Sequence, residues 1–179
     1  WRFPQRNGEV PGMVPHGWGH GPNPAEAAEA AAQVFELDGF TPCAVFLTAA
    51  DRRLRGTRGA AVAIAQLDMS GELLQYAGVG NIAGSVRFRE STKGQGLVSH
   101  NGTVGVIMRK VSRFEYECPV GALLILHSDG LQSRWSFDPY PGLIARHPAI
   151  VASVLYRDFR RDRDDVTVCV IRGFKSIAA

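Results

Sequence analysis

The spacing of apolar positions changes along the chain. Residues 24–37 are Ala-rich with Glu26, Glu29 and Glu36 interspersed, and Ala27, Ala31, Val34 and Phe35 share one helical face. This predicts a helix with Asn23 as N-cap and Pro24 as first residue, where the missing N–H of proline is harmless. A second helix starts at Thr41-Pro42, with Phe46, Leu47, Ala50 and Leu54 as its stripe and Gly56 as its stop. Beyond Gly56 the pattern shortens to strands. Ala60–Leu67 is almost wholly apolar, as a strand covered on both faces would be. Glu72–Val79 and Ile82–Arg89 flank Gly80-Asn81, which reads as a hairpin turn. Leu97–His100 leads into the turn signal Asn101-Gly102. Val111–Tyr116 and Ala122–His127 follow, separated by Pro119-Val120-Gly121. Next come the segment Tyr140–Arg146 and a helix over Pro148–Arg160, patterned by Ile150, Val151, Val154, Leu155 and Phe159. Asp165–Arg172 is a last strand.

Two helices, a run of strands, a helix and a strand do not give the regular alternation of a doubly wound sheet. The order predicts an α+β fold, a layered antiparallel β-sandwich flanked by helices, within one domain over residues 1–179. Residues 1–24 carry five prolines and five glycines, so residues 1–22 read as an irregular arm and loop. A short edge strand around Gly12–Val14 is the exception the arm allows.

Composition narrows the function classes. Hydrophobic residues make up 45% of the chain, which argues against disorder. A net charge of +3 without a basic stripe argues against nucleic acid as a partner. The densest charge run, Arg157 to Asp165, alternates in sign and screens itself. No apolar run is long enough to span a membrane. Cys43, Cys118 and Cys169 are odd in number and widely spaced, which argues against a disulfide framework or zinc site and for a reducing cytoplasm. None has an Arg six residues on, so the cysteine-phosphatase loop is excluded.

Acidic groups stand where two apolar runs meet loops. Asp129 follows Ala122–Leu126 within His127-Ser128-Asp129-Gly130-Leu131, and Asp164 precedes Val166–Ile171. Carboxylates on rigid strand ends suit a hard cation such as Mg²⁺ or Mn²⁺, and the pair points to a metal-dependent hydrolase. Each motif alone is also a common turn. Gly78-Val79-Gly80-Asn81-Ile82-Ala83 matches the dinucleotide fingerprint formally, but a strand pattern follows it where a helix is needed. His16 and His20 have the spacing of a helical metal pair, but glycines intervene, and a flexible arm is the competing reading. Neighbours on one strand end point to different sides, so His127, Ser128 and Asp129 make a poor catalytic triad.

Taken in order, these motifs resemble the metal-dependent PP2C-type serine/threonine phosphatases, in the bacterial branch of the sporulation stage II E and stressosome phosphatases. The resemblance covers roughly residues 12–172. It is carried by the Gly-rich loop before the Ala-rich helix, Tyr76-Ala77-Gly78-Val79-Gly80-Asn81, Ser99-His100-Asn101-Gly102-Thr103-Val104-Gly105, His127-Ser128-Asp129-Gly130-Leu131 and Asp164-Asp165-Val166-Thr167. It implies a β-sandwich with a two-metal Mn²⁺ or Mg²⁺ centre at one end. It also implies hydrolysis of phosphoserine or phosphothreonine on a regulatory protein of a partner-switching system, by metal-activated water. By the same resemblance Asp129 and Asp164 are metal ligands, Gly17 gives a backbone carbonyl, and His16 stands at the ligand position of the Gly-rich loop.

The chain departs from the family pattern there. Where relatives have Asp-Gly-x-Gly-His-Gly, it reads His16-Gly17-Trp18-Gly19-His20-Gly21, and no Gly-Asp pair precedes the loop; Glu9 after Gly8 is a poor match. The first strand of the family, with its Asp, is read as missing from the chain. An imidazole can bind one cation but cannot bridge two or supply negative charge. The alternative reading is a degenerate phosphatase domain, weak or inactive, that binds a phosphoprotein and regulates.

Overall fold

The computed structural model describes residues 10–17, 24–68, 72–89, 94–109, 111–162 and 164–173. It is an α+β fold of two antiparallel sheets between helices. The first sheet has the order β1 (Val10–Gly17), β2 (Ala60–Leu67), β3 (Leu73–Val79), β6 (Phe114–Glu117). The second runs β5 (Gly94–Leu97), β4 (Ala83–Arg87), β7 (Leu123–His127), β8 (Val168–Arg172). Helices α1 (Pro24–Asp38) and α2 (Cys43–Leu54) cover the first sheet, and α3 (Pro148–Phe159) covers the second. Among the described residues no helix is long and apolar enough to cross a membrane.

Period-two alternation builds the layers. All eight residues of β2 are buried. Ala60, Val62 and Ile64 pack towards α1 and α2, against Ala31, Phe35, Phe46 and Leu47. Ala61, Ala63, Ala65 and Leu67 face the other sheet, where Val86, Leu124 and Leu126 meet them. β7 divides in the same way, Leu124 and Leu126 into the space between sheets and Leu123 and Ile125 towards Val151 and Leu155 of α3. Three apolar layers result, and the small alanines of β2 leave room for the leucines of β7.

Three expectations need correction. Gly80-Asn81 is not a hairpin turn: β3 pairs with β2 and β6, whereas β4 pairs with β5 and β7. Both edges of β3 are taken, so the turn carries the chain from one sheet to the other. The irregular arm contains a full edge strand, since β1 runs the length of β2 from Val10↔Leu67 to Gly17↔Ala60. Pro11 and Pro15 lie four residues apart, so both missing N–H groups fall on the open edge, where a proline is tolerated. The strand expected at Leu97–His100 lies earlier, at Gly94–Leu97, because His100 turns away to bridge Val79 of the first sheet. Tyr140–Arg146 holds a single 3₁₀ turn, Leu143–Ala145. Asn23 and residues 18–21 of the Gly-rich loop lie outside the described residues.

One buried polar group joins the helical layer to the sheet. Gln66 donates to the Gly39 and Thr41 carbonyls at 2.8 and 2.7 Å, and its oxygen accepts from Cys43 Sγ at 3.2 Å. It thereby satisfies the α1–α2 connection. Gln66→Leu keeps the volume but strands these carbonyls, so equilibrium denaturation should show a loss of about 2 kcal/mol with an unchanged m-value.

Candidate functional site

The Asp129 turn begins where β7 ends, and the side chains around it are held from two directions. His127 is buried, with Nδ1 2.9 Å from the Ser128 carbonyl and Nε2 3.1 Å from Trp135 Nε1. The indole can only donate, so Nε2 accepts and Nδ1 carries the proton. Burial lowers the pKa of His127 from its ordinary value, and the bond to Ser128 only partly offsets this. Ser128 is fully buried; its Oγ donates to the Asp165 carbonyl at 3.2 Å and accepts the Thr167 N–H at 3.0 Å. The Ser128 N–H donates to the Thr167 carbonyl at 3.0 Å, and the Arg161 N–H to the Gly130 carbonyl at 2.8 Å. A Cβ on Gly130 would lie 2.3 Å from the Asp165 carbonyl oxygen, so only glycine lets the two segments come this close. The segment that carries Asp164 and Asp165 is thus fastened to the turn that carries Asp129. Ser128 and His127 are spent on this fastening, so no triad forms with Asp129.

Asp129 meets residues from the other sheet. Asn81 Nδ2 donates to Oδ2 in a short contact. His16 Nε2, near the end of β1, lies 3.3 Å from Oδ1, while Oδ1 itself is buried and accepts no hydrogen bond. The spacing is that of an ion pair; the alignment is not that of a hydrogen bond. Asn81 reaches Asp129 because Gly80 holds φ +95°, and a Cβ at Gly80 would lie 2.6 Å from the Cβ of Ala61. Gly80 also donates to the His100 carbonyl at 2.8 Å, which fixes the loop after β5 beside the turn. The Gly78–Ala83 segment leads into β4, so no helix N-terminus is present for a dinucleotide.

The structure therefore brings His16 to Asp129 and adds Asn81, which sequence reasoning took for a turn residue. Gly17 pairs with Ala60 beside His16. Asp164 is exposed on the fastened loop. His20 and Glu9 lie outside the described residues. Among the described residues no group of three His, Cys, Asp or Glu side chains could hold a metal ion. The donor chemistry agrees with this: one oxygen of Asp129 is engaged by an amide N–H, and an imidazole faces the other. These residues do not fit a two-cation centre, which needs shared carboxylate oxygens. Burial favours the protonated thiols, pushing Cys43 up to about 12 and Cys118 and Cys169 up to about 11.

By sequence, no family model and no curated protein matches the chain. By structure the similarity is extensive. A chain from work on the bacterial stressosome as a modular system adapted to control secondary messenger signaling is 29% identical, with a TM-score of 0.79, covering 93% of this chain and 86% of that one. RsbX in complex with magnesium is 16% identical, with a TM-score of 0.75 over 93% of this chain and 82% of its own. The PP2C phosphatase domain of SpoIIE from Bacillus subtilis is 17% identical, with a TM-score of 0.69 over 92% of this chain and 54% of that one. The fold is that of the PP2C-type phosphatase domains. In this PP2C-type sandwich the Asp129 turn stands at one end, between the two sheets.

His127 makes the turn sensitive to pH. Its folded-state pKa lies below the unfolded value, so the unfolded chain takes up a proton that the folded chain refuses. The stabilisation is complete above a pH of about 6.5 and is lost as pH falls below that value. His127→Gln keeps an acceptor for Trp135 but does not titrate. Thermal unfolding followed between roughly pH 7.5 and 5.5 should therefore show a smaller loss of Tm in the variant than in the parent chain.

Proposed function

We propose that this chain regulates signalling by meeting the phosphorylated serine or threonine of a partner-switching protein at the Asp129 end of a PP2C-type sandwich, with its hydrolytic step attenuated. The observation that carries this reading is the approach of His16 to Asp129 at 3.3 Å. In the resemblance, position 16 belongs to a carboxylate shared by two cations. An imidazole has one lone pair to offer and no negative charge, so much of what draws a second dication is gone. The Asn81 amide on the other carboxylate oxygen reinforces the effect. The likeness to a stressosome chain and to RsbX supports a regulatory protein as the partner. Free cysteines suit a reducing compartment, and we place the domain in the cytoplasm.

One observation favours a second reading, a Mn²⁺- or Mg²⁺-dependent phosphoserine/phosphothreonine phosphatase. Asp129 Oδ1 is buried without a hydrogen bond, and the loop that carries Asp164 is fastened beside it. Asp129, Asp164, the Gly17 carbonyl and His16 would then be the ligands.

Two measurements separate the readings. The parent chain should hydrolyse a phosphoserine peptide no faster with Mn²⁺ than without it. Stimulation of about tenfold or more, abolished by Asp129→Asn, returns the second reading. His16→Asp places two carboxylates side by side, a pair that a bound dication neutralises. Calorimetry should show Mn²⁺ binding at least about tenfold tighter than in the parent chain. Equal affinity in both chains removes position 16 from the explanation.

A further inference from the structure

The corner between α2 and β2 lies at the same end of the sandwich as Asp129. Ala60 opens β2 and pairs with Gly17, next to His16. It also exchanges two backbone hydrogen bonds with Val104, at 3.0 and 2.9 Å. The loop that begins there is tightly closed. Thr103 and Ile107 exchange backbone hydrogen bonds of 2.8 Å, and the Gly105 N–H donates to Asp51 Oδ1 at 2.9 Å. A Cβ on Gly105 would lie 2.6 Å from the Cβ of Leu54, so the loop is seated directly on the end of α2.

This hydrogen-bonded loop presents two neighbouring β-branched side chains to solvent. Val106 is 57% exposed and Ile107 is 58% exposed. Arginines stand on the adjoining segments of chain. Arg52, Arg53, Arg55 and Arg58 follow one another within the α2–β2 corner, and Arg109 follows the loop; all five are exposed. Val106 lies over this corner, since a Cβ on Gly59, next to Arg58, would be 2.8 Å from Val106 Cγ2. Asp51 is the one acidic side chain in the stretch 51–59, and the Gly105 N–H and Arg55 both engage it.

We infer that Val106, Ile107 and the adjoining arginines form a docking surface for an acidic segment of a partner protein that carries an apolar anchor residue. The inference rests on the reading of the chain as a protein-binding regulator. Charge complementarity selects an acidic segment, and the exposed aliphatic pair selects an apolar residue within it. The closed loop is ordered before binding, so little conformational entropy is lost on contact. Two aliphatic side chains bury too little for a membrane surface, and the described loop residues 103–109 include no aromatic ring to stack a base.

The test is fluorescence anisotropy with a labelled peptide of alternating Glu and Leu, titrated with the full chain. Binding should weaken as salt rises. It should fall roughly tenfold in Ile107→Asp and in the double variant Arg55→Gln/Arg109→Gln. These side chains are exposed, and circular dichroism should confirm that the variants fold. Equal binding by the parent chain and both variants overturns the surface; the reading of the Asp129 end then stands or falls on its own peptide hydrolysis and Mn²⁺ titration. Tighter binding of anionic lipid vesicles or duplex DNA than of the peptide, lost in the same variants, overturns the choice of an acidic protein segment.

Discussion

A strand with no polar face can be satisfied only between two other layers, and β2 is such a strand. Its eight buried residues need α1 and α2 on one side and the second sheet on the other. Once β2 is central, β1 and β3 must flank it. β3 then has its remaining edge taken by β6, and β4 must enter the opposite sheet. The sandwich follows from this one requirement, because each later strand is placed by the edge left open to it.

The same requirement creates the site. Because the chain crosses between sheets at Gly80-Asn81, the end of β1, the crossing turn and the end of β7 come together. Asp129 is therefore addressed by His16 from one sheet and by Asn81 from the crossing between them. Ser128 and Gly130 fix the segment that carries Asp164 against the same turn. The framework around Asp129 is built with care, whereas the groups facing its carboxylate are nitrogen-bearing side chains. That contrast separates this turn from the acidic cluster that two dications require.

Helix and strand positions were largely legible. The alternation in β2 and β7 and the stripes on α1, α2 and α3 each record which side of an element is buried, and that information is local. Asp129 was also legible, because an apolar run that ends in His-Ser-Asp-Gly announces a strand end. Asn81 was missed because its sequence context, after Gly80 and between strands, is equally that of a hairpin. A turn signal tells that the chain reverses but says nothing of which strand the next segment will pair with.

By itself the sequence determined the α+β class, the order of elements, the layered burial and the place of Asp129 just after a strand end. All of these depend on residue type and short-range periodicity. It also determined that position 16 holds an imidazole where a carboxylate is expected. Only the tertiary structure decided that Gly80-Asn81 bridges two sheets, that a proline-bearing segment completes the edge of one, and that Asp129 faces His16 and Asn81. Those outcomes depend on which strand edges remain free once the core has closed, and that is a property of the assembled sheets rather than of any stretch of chain.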